Sequence, residues 1–359
     1  MTQAFDYEKF LLENWDKAQI PGGLLTKQGQ QDYVGAVPAL VGNLYFYDAH
    51  TEAVRKAICD CFEQYEAIAN EHLTWLWRED PPEGPDRMPY TQAKPMRDLM
   101  KQLEEDDAVS FAYISGAEAH EAGAWEFKVI GRARWESKLP NTGPSVLRFS
   151  LSPLYVHQHP QAFQQLFVTF ADKLKAIHGH GGIGLVMSAV RRRDNEPVEA
   201  YLSEQMNGLD IGAPFLLSSK LKDGIKTVSW LTAIHNDMLE KVGGLPRIRS
   251  ELPGTWFALY PYSNGLVIQA GPKAEGAFAS EDPKPALYVL PNMLLKEVRT
   301  PKIGHIHSGS ADGEPRIRGK AAEDWLQRFD VPEEELLTYK AKLLNEPKLT
   351  KETALPGRI

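Results

Sequence analysis

The sequence predicts an α+β fold, a mostly antiparallel mixed sheet packed with helices, with two pseudo-related halves as one way of arranging it. Three observations lead there. Short apolar segments bounded by turn residues recur along the chain: Leu40 to Tyr47, Val109 to Ser115, Trp125 to Trp135, Val146 to Leu151 and the pair Trp256 to Tyr260 and Gly265 to Gly271. Between them run amphipathic stretches at helical spacing, Val54, Ile58, Cys61, Tyr65, Ile68, His72, Leu76 and then Phe163, Leu166, Phe167, Phe170, Leu174, Ile177. The order strand, long helix, further strands occurs twice, over 40–135 and 146–270, without a close internal repeat. Clustered strands with helices between them favour a sheet covered by helices.

In chain order, residues 1–35 read as an irregular arm. Phe5, Phe10, Leu11 and Trp15 dock a short helix, which Pro21-Gly22-Gly23 breaks. After the strand 40–47, Asp48 or Thr51 can cap a long helix ending near Trp77, because a side-chain oxygen satisfies free amides of a first turn. His72, Trp75 and Trp77 read as core aromatics of that helix. Residues 79–95, rich in Pro and acidic side chains, form a loop, and Pro95 opens a helix over 96–103 that ends in Glu104-Glu105-Asp106-Asp107. Pro160 begins the second long helix, with Gly179 as its C-terminal cap, followed by a strand over 183–189 and a helix over 199–206. Arg191-Arg192-Arg193 reads as a solvated loop or as partner to Asp194 and Glu196.

Further on, 228–231 reads as a strand and 232–242 as a helix left through Gly243-Gly244. A hairpin turns over 261–265, and 286–290 is a strand or turn. Residues 304–319 read as a loop, and 321–329 and 332–344 as helices, the last with Glu333-Glu334-Glu335 in its first turn. The predicted organisation is an arm (1–35), one α+β domain (36–345, with halves 36–145 and 146–330) and a flexible tail (346–359).

Composition narrows the function classes. Hydrophobic residues make up 43% and charged residues 25% of the 359 positions, as in soluble globular proteins. No apolar run approaches bilayer length, and the first residues lack a basic start and apolar core, so a cytoplasmic location without membrane attachment is expected. The net charge of -8 argues against direct nucleic-acid binding and is compatible with a basic protein partner. Cys59 and Cys61, two apart on a helix, are placed poorly for a disulfide and read as free thiols.

Three His-x-His pairs stand out: His157/His159, His178/His180 and His305/His307. On a strand such a pair can chelate a metal. The predicted contexts are a helix start, a Gly-rich cap and a loop, so the histidines read as structural or exposed. A metal-dependent enzyme built on these pairs stays the alternative. No nucleophile elbow, phosphate loop or unique carboxylate pair occurs, so no catalytic residue, metal ligand or cofactor is assigned.

A set of motifs carries a resemblance. It comprises Gly208-Leu209-Asp210, Ser229-Trp230-Leu231-Thr232, Val242-Gly243-Gly244 and Val267-Ile268-Gln269-Ala270-Gly271-Pro272. Upstream are Leu147-Arg148-Phe149-Ser150 and His178-Gly179-His180-Gly181-Gly182, and downstream Leu290-Pro291 and Trp325-Leu326-Gln327-Arg328-Phe329-Asp330. In order and spacing these resemble the bacterial type VI secretion immunity family, whose members sit beside nuclease toxins. The resemblance implies a cytoplasmic protein that binds and neutralises a cognate effector toxin, a nuclease, by stoichiometric inhibition and without catalysis. The candidate toxin contacts are then the acidic groups Glu104, Glu105, Asp106 and Asp107, whose place at a helix end opposes the helix dipole, and the loop residues Glu118 and Glu121.

Overall fold

Gln31–Phe46 is a strand of 16 residues, and the molecule is assembled around it. The computed structural model describes residue 14, residues 18–309 and residues 313–359. The docking aromatics Phe5, Phe10, Leu11 and Trp15 lie outside the described residues. The strands are β1 (Ile20–Gly22), β2 (Gln31–Phe46), β3 (Trp75–Arg78), β4 (Arg87–Pro89), β5 (Val109–Ile114) and β6 (Glu126–Gly131). They continue with β7 (Ser145–Leu151), β8 (His178–Met187), β9 (Leu231–His235), β10 (Phe257–Tyr262) and β11 (Gly265–Ala270). They form one 11-stranded sheet in the order β10-β11-β9-β8-β2-β7-β6-β5-β3-β4, with β1 beside β2, and every strand pairing is antiparallel. On one flank of β2, the pairing with β1 reaches as far as Ala36 (opposite Ile20) and that with β7 takes over at Leu40 (opposite Leu151). Pro38 falls in the gap between them, where a residue without an amide hydrogen disrupts least.

Helices cover both faces, so the architecture is the α+β fold expected. On one face lie α1 (Glu52–Ala69) and α2 (Ala162–Lys173). Ile58, Cys61, Phe62 and Tyr65 of α1 and Phe163, Phe167 and Phe170 of α2 pack on Leu44, Phe127, Leu147 and Phe149 of the central strands. Thr51 caps α1 by accepting the Val54 amide, and Cys59 and Cys61 are buried free thiols. The opposite face carries two further apolar clusters. One joins Ile234, Leu259, Leu266 and Ile268 to the helices Gly244–Glu251, Ala286–Leu294 and Leu336–Lys342. The other joins Tyr45 and Val146 to Leu209, Ile211, Ile303, Ile306 and Trp325.

Several boundaries differ from the sequence reading, each for a physical reason. α1 stops at Ala69, and Trp75 and Trp77 stand on β3. Their indoles donate to the carbonyls of Ala117 (3.3 Å) and Ala119 (2.9 Å) in the loop that follows β5. Gly179 caps no helix. α2 ends at Lys173, the chain reverses at Lys175 with φ of 50°, and Gly179 belongs to β8. The glycines of β8 answer to close packing rather than to a turn. A Cβ at Gly181 would meet Phe163 and Phe167 at 3.0–3.1 Å, and one at Gly182 would meet the Ser229 hydroxyl at 2.4 Å. Residues 286–290 lie in a helix, Ala286–Leu294, with eight of its nine residues buried. A helix buried all round shows no polar stripe and reads as a strand-like apolar run. Residues 346–359 lie against β10 and β11: the Leu349 amide donates to Thr255 O, the Ile359 amide to Leu259 O, and Leu349, Ala354 and Leu355 are buried.

Candidate functional site

The acidic run 104–107 sits in a turn after the short helix Met96–Met100. Two arginines are committed to it. The Arg55 guanidinium donates to the carbonyls of Leu103 (2.6 Å), Glu104 (2.5 Å) and Asp107 (3.3 Å). Arg134 pairs with Glu105 (2.5 Å) and Asp106 (3.0 Å), and its hydrogen bonds hold the Asp106 carboxyl below the usual range. Asp107 turns inward to accept the Glu104 amide at 2.8 Å. Glu104, Glu105 and Asp106 remain exposed. Four carboxylates against these two guanidiniums leave the turn with two net negative charges.

Glu118 and Glu121 lie in the loop between β5 and β6. The run 104–107 precedes β5 and this loop follows it, so the strand holds the two acidic groups on the order of 20 Å apart. The structure therefore does not join them into one patch. Glu118 is exposed, whereas Glu121 is half-buried and tethers the loop: its carboxylate accepts the amides of Val34 (3.1 Å) and Glu118 (3.2 Å). Beside it opens a cleft of about 700 Å³, lined by Glu121, His72, Trp125, Leu154, Tyr155 and Gln158 among others. Its rings form a ladder. His72 stacks on Trp125 at 4.4 Å, Tyr155 meets Trp125 edge-on at 5.1 Å, and His159 stacks on Tyr155 at 4.2 Å. The cleft needs loop, strand and helix brought together, and no sequence motif announces it.

The histidine pairs are dispersed. His157 and His159 are exposed around the end of the helix Pro153–Gln158, and His305 bridges to Arg318. His178 and His180 are buried on β8. His178 donates Nε2–H to Leu221 O at 2.6 Å, and burial pushes its pKa down to about 4. Among the described residues, no three His, Cys, Asp or Glu side chains gather to hold a metal ion.

His180 instead belongs to a buried polar row that the sequence reading missed. Paired residues of successive strands, Lys128, Arg148, Asn43, His180 and Thr232, run side by side across the sheet. Arg148 binds Glu126 (2.8 Å), Leu185 O (2.7 Å) and Asn43 (3.3 Å). Asn43 donates to Asp210 at 2.9 Å; Lys226 reaches the same carboxylate at 2.5 Å and His180 at 3.2 Å. Burial opposes the charge of Asp210, but Lys226 and then His180 outweigh it and hold the carboxyl well below the usual range. Next to this row, α3 (Arg192–Gln205) carries two buried carboxylates. Glu199 accepts from Gly212 N (2.8 Å) and His307 (3.0 Å), and Glu196 from Ser308 N (3.0 Å) and Arg316 (2.5 Å). Burial opposes the Glu199 charge too; Arg192 and His307 reverse the effect. Asn43, Arg148, His180, Glu196, Glu199, Asp210, Lys226 and His307 are almost without solvent access, and these side chains are hydrogen-bonded within the two networks, which suits fastening the sheet to its cover. The readable signal was Asn43 and Arg148, polar residues inside otherwise apolar strand segments.

With fold and site in place, comparison with known proteins gives the class. The chain belongs to the TsiV family, described as type VI immunity for VRR-NUC, whose family model matches residues 57–329. It is similar in structure to the Pseudomonas aeruginosa T6SS protein PA0821, with 43% sequence identity and a TM-score of 0.93, covering 99% of this chain and 100% of that chain. No curated protein matches the sequence significantly. No helix among the described residues is long and apolar enough to cross a membrane.

Proposed function

We propose that this protein protects its producer by binding a cognate type VI secretion effector, a VRR-NUC nuclease, in a fixed ratio and without catalysis of its own. Membership of the TsiV immunity family over most of the chain is the observation that carries this reading. The net charge of -8 supports it, since a nuclease surface that holds phosphates is basic and opposite charges speed encounter. The protein acts in the cytoplasm, where a nuclease would reach the genome, and contacts the effector rather than nucleic acid. Glu104, Glu105, Asp106, Glu118 and Glu121 are its proposed effector contacts, with Asp107 holding the first turn in shape. Two acidic sites set far apart fit a broad interface, and stable complexes bury about 1,600 Å².

The test is co-expression with the effector encoded beside it. Survival of the cells with co-elution of the two chains at a fixed ratio is expected. Survival without a complex points to enzymatic protection, and death of the cells refutes immunity to that effector.

A further inference from the structure

The cleft beside Glu121 brings a half-buried carboxylate to its wall. Among the described residues, no Lys, Arg or His pairs with the Glu121 carboxylate; its partners are the two backbone amides of Val34 and Glu118. These tether the side chain, but among the described residues they leave its negative charge without a counter-ion. The same cleft is lined by small apolar residues, by the rings of Trp125 and Tyr155, by His72 stacked on Trp125, and by the polar Gln158. At about 700 Å³ the space far exceeds one side chain, so it can admit a projecting loop together with its terminal group.

A half-buried carboxylate beside aromatic rings matches one side chain better than any other. Guanidinium is planar, pairs with a carboxylate through a fork of N–H donors, and stacks on aromatic rings. An ammonium is a compact, strongly hydrated point charge that loses more water on entry.

We infer that this cleft receives an arginine side chain projecting from the cognate effector, held between the Glu121 carboxylate and the Trp125 and Tyr155 rings. The inference rests on the proposed immunity function and adds to it a recognition site and the chemistry that fits it. Glu121 then has two tasks, fixing the loop to β2 through its amides and offering charge to the partner. The turn 104–107 differs in that Arg134 already occupies two of its carboxylates.

The test measures affinity for the purified, catalytically inactivated effector. The variants are Glu121→Gln, which removes the charge, and Leu154→Trp, which fills the cleft and leaves the Glu121 hydrogen bonds alone. Each is expected to weaken binding tenfold or more, Leu154→Trp while melting like the parent and Glu121→Gln with a small loss of melting temperature, since its amide nitrogen cannot accept the second of the two backbone amides. In addition, one effector Arg→Ala substitution is expected to cost the parent at least tenfold and the Glu121→Gln variant almost nothing further. If Glu121→Gln fails to fold, Leu154→Trp decides alone. Folded cleft variants that bind within twofold of the parent overturn the cleft assignment and leave the immunity reading standing. A parent protein that does not bind the effector at all removes the immunity reading itself.

Discussion

Asp210 shows how single residues set the stability of the buried row. Its carboxylate meets Lys226, His180 and Asn43, with exposures of 5%, 1%, 1% and 0% for the four groups. Removing one partner leaves an uncompensated buried charge, which costs about 3–5 kcal/mol. Lys226→Met is therefore expected to lower the unfolding free energy by about that amount in urea titration. A loss under 1 kcal/mol would show that the row is not a fastening. His178 contributes a pH dependence. Its folded pKa of about 4 lies below the ordinary 6.5 because burial disfavours the charged ring. A depressed pKa stabilises the fold above the unfolded value, and that stability is lost as pH falls from 6.5 through about 4. The shift corresponds to roughly 3 kcal/mol. Asp330 continues the trend: burial raises its pKa, but hydrogen bonds from Arg299 and Asn292 bring it to about 2. Its stabilisation is therefore lost at still lower pH, below the usual carboxyl range. Melting temperature should fall on acidification from pH 7 to 4, and His178→Leu should flatten that fall. Gly243, with φ of 93°, gives a backbone test: Ala there adds about 1–2 kcal/mol of left-handed strain, and its Cβ lies 2.6 Å from the Arg247 Cδ.

At the scale of elements, α3 latches the segment 303–309 and 313–318. Glu196 and Glu199, one turn apart, accept hydrogen bonds from Ser308, Gly309, Arg316 and His307, while Ile306 N–H bonds Ile317 O and Ile317 N–H bonds His307 Nδ1. Glu196→Ala should raise hydrogen exchange at the Ile306 and Ile317 amides at least tenfold and leave β2 and β7 unchanged. Equal protection in the variant would mean that apolar packing alone holds the segment. This scale also shows what the sequence disclosed. The two long helices were legible because their buried faces repeat every three or four residues, and the hairpin of β10 and β11 because Asn264-Gly265 sits between apolar runs. β8 was half-hidden because Gly179, Gly181 and Gly182 look like a turn until the aromatic side chains that press on them are in place. His72 and Leu76 continued the periodicity of α1 by chance of spacing, and Trp75 and Trp77 beside them were drawn into the wrong element. The acidic turn was visible as a run of charge, but not that Arg55 and Arg134 occupy it. Glu121 was visible as a candidate, whereas the cleft beside it depends on contacts between residues over 80 positions apart in the chain, such as Glu121 with Val34.

At the scale of the whole molecule, the central strand β2 joins both sides of the sheet, helices cover both faces, and the net charge is negative. Encounter with a basic nuclease should then be steered by charge, and the association rate should fall about tenfold or more between low and high salt while dissociation changes little. A rate indifferent to salt would remove long-range attraction from the account. The central claim, neutralisation by stoichiometric binding, is tested most directly by titrating this protein into a fixed concentration of its effector and following DNA cleavage. The account predicts a linear loss of nuclease activity that ends at a fixed molar ratio, matched by a complex of the same ratio in solution. Full cleavage at molar excess, or inhibition at a small fraction of the effector concentration, would contradict it.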